Sequence, residues 1–290
     1  MEIGVRIPHT GRRASPAFVR EWCVAADQLG FDALWGVDHV VMPQRVESQY
    51  VLPREPAKIE DDAVSDLLAP NYELVTTMAV VAAITERIKI GSAVAVLPIR
   101  NAVLLARQLA TIDQYSGGRL VFGVGAGWLQ EEAHAMNEAW DRRGARVDES
   151  IDLLRALWTA PGDHVEFHGE FWDLPPMDPE PRPVQQPIPI LIGGHSDVAI
   201  DRAARLGDGW IAAGMSSGRL AGLTAKLREA VNRHDRDPAS VLVYCGASPG
   251  DLTAGDLRRY EEAGAHSVQV AINTLDDLKR FADDVLLHLR

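Results

Sequence analysis

The chain has 290 residues, 47% of them hydrophobic and 24% charged, with a net charge of −12; this is the make-up of a soluble globular protein, long enough for one α/β barrel of about 250 residues plus insertions. The acidic balance speaks against nucleic acid and anionic membrane as partners. Cys23 and Cys245 stand far apart and outside any CxxC or Cys/His cluster, and His134, His164, His168 and His195 lack HxH or HExxH spacing, so neither a disulfide framework nor a metal site is expected.

In chain order, MEIGVRIP reads as a charged strand and not as a signal peptide, and no apolar run approaches the ~20 residues of a membrane span. The cytoplasm is the expected location. Strands are expected at 2–8, 32–38, 89–97, 120–125, 188–193, 209–213, 240–246 and 267–272, short apolar runs bounded by turn residues, as suits parallel strands covered on both faces. Between them the pattern turns helical. Leu105, Leu109 and Ile112 recur at helix spacing in 102–115, which ends at Gly117 and Gly118. Ile151, Leu154 and Trp158 do the same in 145–158, and Leu278, Phe281, Val285 and Leu289 in 275–289.

Eight strands alternating with helices through right-handed crossovers close into a single (β/α)8 TIM barrel of the α/β class over 1–290, because the GxGxxG of a doubly wound sheet is missing after the first strand. Two insertions interrupt the alternation. Residues 41–70, after strand 2, place Pro43, Pro53, Pro56 and Pro70 among mixed charges with no apolar period, and read as a lid loop over the carboxyl end of the barrel. Residues 164–187, before strand 5, read as a β-hairpin followed by a proline-rich connector.

Catalytic residues of such barrels sit at the carboxyl ends of strands. Asp38 and His39 close the second strand. An imidazole there takes or gives a proton near neutral pH, and the neighbouring carboxylate would fix its tautomer unless the two side chains point to opposite sides; a purely structural histidine fits the same position. Gly125-Ala126-Gly127 and Gly193-Gly194 each follow a strand and precede a helix, either as tight turns or as anion sites built from backbone amides. Ser196 either caps its helix or donates to a phosphate. Trp128 either lines the pocket or packs, while Trp158, Trp172 and Trp210 are expected in the core or the hairpin. Of the four lysines only Lys58, in the 41–70 loop, could reach the mouth; Lys89 begins a strand at the wrong end for Schiff-base chemistry.

Taken together, WGVDHV (35–40), ERIKIGSAVAVLPIRNAVLLARQLATIDQYSGGRLVFGVGAGW (86–128), the glutamate pair 131–132 and PIPILIGGHS with RAARLGDGW (187–210) resemble the bacterial luciferase-like flavin- and deazaflavin-dependent oxidoreductases almost end to end. The likeness is greater to the subgroup using coenzyme F420, a deazaflavin, than to those using FMN. It implies an oxidoreductase transferring a hydride between a small organic substrate and F420 at the barrel mouth. An FMN-dependent monooxygenase and a non-catalytic cofactor-binding protein are the alternatives. The resemblance further implies that His39 transfers the proton and that Asp38 contacts the cofactor. Ala93 and Val94 fall where relatives place a bulge, often with a non-proline cis peptide, behind the cofactor's central ring. Gly125, Ala126, Gly127, Trp128, Gly193, Gly194, His195 and Ser196 fall in cofactor-contacting segments, with Gly194 and Ser196 nearest the phosphate. Trp128 stands where sugar-phosphate dehydrogenases of the family carry an acidic residue, which implies a more apolar pocket. Relatives are often homodimers.

Overall fold

The computed structural model describes residues 1–48, 71–162, 164–248, 250 and 253–289. Its first strand, β1 (Glu2–Arg6), shows the logic of the whole sheet. Ile3 and Val5 are buried against the surrounding helices, while the alternate residues turn inward. The other strands are β2 (Ala33–Gly36), β3 (Lys89–Ser92), β4 (Ala95–Val96), β5 (Leu120–Gly125), β6 (Val165–His168), β7 (Asp173–Met177), β8 (Ile190–Gly193), β9 (Gly209–Met215), β10 (Leu242–Ala247) and β11 (Ser267–Val270).

The main sheet runs β3-β2-β1-β11-β10-β9-β8-β5, and a β3–β5 pairing closes it, with every pairing parallel. This is the expected (β/α)8 barrel. Closure leaves no open edge among the eight strands. Its lumen is filled by Ala33, Trp35, Val121, Leu191, Ile211 and Tyr244, with Trp35 and Tyr244 edge to face at 5.6 Å. Glycine is required at 91 because a Cβ there would lie 2.3 Å from the Trp35 ring.

The helices are α1 (Pro16–Leu29), α2 (Leu74–Ile84), α3 (Ala102–Ser116), α4 (Gln130–Ala135), α5 (Arg143–Thr159), α6 (Asp197–Leu206), α7 (Ser217–Arg233), α8 (Ala254–Glu262) and α9 (Leu275–Phe281). Their ends are set by local chemistry. Ser15 caps α1, with Pro16 in its first turn, and Gly30 ends it in the left-handed region at φ 91°. Asn101 and Gly117 do the same for α3. None of the described helices is long and apolar enough to cross a membrane.

Several expected elements differ in detail. The second strand ends at Gly36, so Asp38 and His39 lie just beyond it instead of closing it. The strand expected over 89–97 breaks after Ser92 at a cis Ala93–Val94 peptide, resumes as β4 and ends in a 3₁₀ turn, Leu97–Ile99. The helix expected over 275–289 widens into a π turn at Ala282–Leu286. The extra residue in that turn rotates Leu286 into the core and leaves Val285 half-buried. The first strand stops at Arg6, short of the expected Pro8.

The expected hairpin is present as antiparallel β6 and β7. Its turn docks on α5, where the Glu149 carboxylate accepts the amides of Glu170, Phe171 and Trp172 at 2.8–2.9 Å, and Trp172 Nε1 donates to Ser150 at 2.9 Å. Trp158, Trp172 and Trp210 are all buried. Residues 49–70, the larger part of the expected lid, lie outside the described residues, and Lys58 with them.

Candidate active site at the barrel mouth

β2 delivers Asp38 and His39 to the carboxyl end of the barrel, and their side chains part there. Asp38 is buried and accepts from the Val96 amide at 2.8 Å and from Arg100 Nε and Nη2 at 3.0 and 2.6 Å. Arg100 also donates to Glu73 at 2.9 Å. Burial opposes the Arg100 charge, but its two carboxylate partners outweigh that and raise its pKa. The carboxylate expected beside His39 is thus turned to Arg100, where it ties the segment after β2 to β4.

His39 points the other way. Its Nδ1 lies 3.0 Å from Oε2 of Glu132, whose Oε1 accepts the amides of Val40 at 2.6 Å and Val41 at 3.3 Å. The His39 side chain is 10% exposed and that of Glu132 2%. Trp128 meets the imidazole edge to face, with centroids 5.9 Å apart, and Asn71 Nδ2 donates to the His39 carbonyl at 3.0 Å. Glu131, the preceding residue of α4, accepts from Ser48 Oγ at 2.6 Å and the Ser48 amide at 2.9 Å. Two adjacent carboxylates of one short helix therefore grip both ends of the stretch from 39 to 48.

Next to β2, the cis Ala93–Val94 step forms a half-buried wall at the mouth. The Val94 side chain fills the space in front of two glycines. A Cβ on Gly125 would lie 2.8 Å from Val94 Cγ2, and one on Gly193 2.7 Å from Val94 Cγ1. Those glycines make room for the wall itself. Gly127 adopts φ +78°, and a Cβ there would meet Val96, while Ala126 packs on the main core.

Across the mouth, the β8–α6 turn is held by its neighbours. Trp210 Nε1 donates to the Gly194 carbonyl at 2.7 Å, and the Ala213 amide donates to His195 Nε2 at 3.0 Å. Burial, with Arg219 nearby, lowers the His195 pKa, and since Nε2 accepts the Ala213 amide, any ring hydrogen sits on Nδ1. Gly194 takes φ +124°, and Ser196 Oγ caps α6 by accepting the Ala199 amide at 3.2 Å. The capping alternative for Ser196 is the one seen, and its residue remains exposed.

The structure thus gathers His39, Trp128, Ala93 and Val94 on one side of the mouth, and sets Gly193, Gly194, His195 and Ser196 on the β8 turn. Glu132, Asn71 and Arg100 escaped the reading of the sequence. For Glu132 the signal was the glutamate pair at 131–132, noted only as a family likeness. Lys89 pairs with Glu2 at the amino ends of β3 and β1, away from this chemistry. Among the described residues no group of three or more His, Cys, Asp or Glu is placed to hold a metal ion.

A closed parallel barrel with a histidine at the end of its second strand defines a class of proteins, and the comparisons narrow it. The sequence profile of the luciferase-like monooxygenases matches residues 1–249. An uncharacterized protein of Mycobacterium tuberculosis is 33% identical over 246 residues, 85% of this chain and 82% of its own length. An FMNH2-dependent dimethylsulfone monooxygenase of Pseudomonas putida is 39% identical over 150 residues, 50% of this chain and 40% of its own. An F420-dependent glucose-6-phosphate dehydrogenase of Amycolatopsis mediterranei is 33% identical over 200 residues, 68% of this chain and 53% of its own. Among solved structures, an F420-dependent secondary alcohol dehydrogenase in complex with an F420-acetone adduct superposes with a TM-score of 0.78 at 17% identity, covering 100% of this chain and 99% of that one, a likeness of fold. The chain belongs to the luciferase-like monooxygenase family.

Proposed function

We propose that this protein is an oxidoreductase that transfers a hydride between a small organic substrate and coenzyme F420 bound at the barrel mouth, with His39 moving the accompanying proton. One observation carries the reading: at the end of β2 an imidazole is held through Nδ1 by Glu132 beside the half-buried Ala93–Val94 wall.

The residues present fit such a cofactor. Val94, backed by Gly125 and Gly193, offers an apolar wall for a planar ring. The exposed start of the ten-residue helix α6, with Gly193, Gly194 and Ser196 before it, suits an anionic tail through its amides and dipole. When bound, a deazaflavin supplies a carbon that accepts or gives a hydride.

The chain's own residues do the rest. His39 takes the proton of a substrate hydroxyl in the oxidative direction, or returns one to a carbonyl, imine or activated alkene in the reductive direction. Such help contributes roughly 10²–10⁴-fold in rate. Trp128, edge-on to His39, favours an apolar substrate over a sugar phosphate. The same reading has the protein act as a cytoplasmic homodimer.

A second reading, an FMN-dependent monooxygenase, is favoured by the 39% identity to the dimethylsulfone enzyme. The dehydrogenase likeness extends over more of the chain. Anaerobic titration with each cofactor, followed by turnover across a panel of alcohols, carbonyls and activated alkenes, separates the two. His39→Asn is expected to slow turnover at least about a hundredfold and to leave cofactor affinity nearly unchanged. Unaltered turnover removes His39 from the mechanism.

A further inference from the structure

We infer that Glu132 is a positioning residue that fixes His39 as the Nδ1–H tautomer, leaving Nε2 as the proton-accepting atom. Donors and acceptors around the carboxylate fix this assignment. Oε1 of Glu132 lies 2.6 and 3.3 Å from the amides of Val40 and Val41, which can only donate, so the carboxylate cannot rotate without losing both. That orientation leaves Oε2 facing Nδ1 at 3.0 Å. Two heavy atoms at this separation share one hydrogen, and with the oxygen as acceptor it belongs to Nδ1. A neutral imidazole carries one N–H, so Nε2, on the far side of the ring, holds the lone pair. Once Nε2 takes a proton, the imidazolium lies beside a carboxylate whose side chain is 2% exposed.

Three charged groups on the flanking segments, together with the buried His9, are engaged elsewhere. Asp38 is turned to Arg100, and Glu131 to Ser48. Arg6 donates to Thr10, and the buried His9 places Nδ1 and Nε2 against the carbonyls of Ile7 and Val37. Glu132 is thus the group that sets the His39 ring. The orientation follows from its own contacts; its catalytic consequence rests on the proton-transfer role proposed for His39.

Glu132→Gln makes a sharp test, because the amide keeps an oxygen for Val40 and Val41 while setting an NH2 group opposite Nδ1. The imidazole must then accept at Nδ1 and carry its hydrogen at Nε2, where it can take up no proton. Nitrogen-15 NMR of histidine-labelled protein, with His39→Asn used to assign the signal, reads the tautomer directly. Wild type is expected to show the hydrogen on Nδ1, and Glu132→Gln to show it on Nε2, with turnover lowered at least about 10²-fold and cofactor affinity and Tm little changed. A wild-type hydrogen on Nε2, or a Gln variant with an unmoved tautomer, overturns the assignment. The NMR arm needs no substrate. A wild-type protein that turns nothing over therefore counts against the proposed reaction, while the nitrogen signals still decide the tautomer.

Discussion

Glu131 shows how one carboxylate organises the approach to the mouth. It receives the Ser48 hydroxyl and amide. Burial on its own would raise its pKa, but the donors from Ser48 and Glu47 outweigh burial and lower it from 4.5 to about 2. A depressed acid lends stability that is fully present above its unfolded value and is lost as pH falls through its folded value. Between pH 4.5 and about 2, wild type should therefore lose Tm more steeply than Glu131→Gln, a difference that thermal unfolding across this range measures. Superimposable acid limbs would show that the contact contributes nothing. At this scale the sequence was half legible. His39 was legible as a candidate because barrel chemistry gathers at strand ends. Its partner could not, since 93 residues separate it from Glu132, whereas the carboxylate adjacent in sequence, Asp38, faces away.

Elements carry constraints that apolar periodicity hides. The run KIGSAVAVL has the composition of one continuous strand, and nothing in its pattern separates β3 from β4. The glycines of β5 and β8 hold the missing information. They face Val94, and what reads as an opening for a phosphate is first an opening for a valine. This predicts coupling between residues 31 positions apart. Gly125→Ala sets a methyl 2.8 Å from Val94 Cγ2, and overpacking of this kind costs about 1–3 kcal/mol. Adding Val94→Ala removes the opposing atom, so the double variant should regain a good part of the loss, with an interaction of roughly 0.5–3 kcal/mol in denaturant unfolding. Strict additivity of the two changes would mean that Gly125 answers to something else. The last helix makes a similar point: the stripe of Leu278 and Phe281 is real, but one π turn exchanges Val285 for Leu286 at the core.

Across the whole molecule, the alternation of strands and helices was the most legible feature, because each barrel strand is buried on both faces and each helix on one. Closure itself, through the β3–β5 pairing, is a property of eight strands together and of no single segment. It also decides the fate of the two thiols. Cys23 on α1 packs between helix and barrel, and Cys245 lies in β10; both are buried, and burial pushes each pKa up to about 12. A thiol that is neither accessible nor ionised reacts slowly with disulfide reagents at neutral pH. Reaction at either site therefore requires opening of the barrel wall or of the helix that covers it, and such openings in core elements approach the global unfolding free energy. Titration with an aromatic disulfide reagent should find no reactive thiol in native protein at pH 7 and two after denaturation, with both appearing along the same denaturant transition as the loss of helical circular dichroism. A thiol that reacts well before that transition would show that its side of the barrel opens as a separate unit.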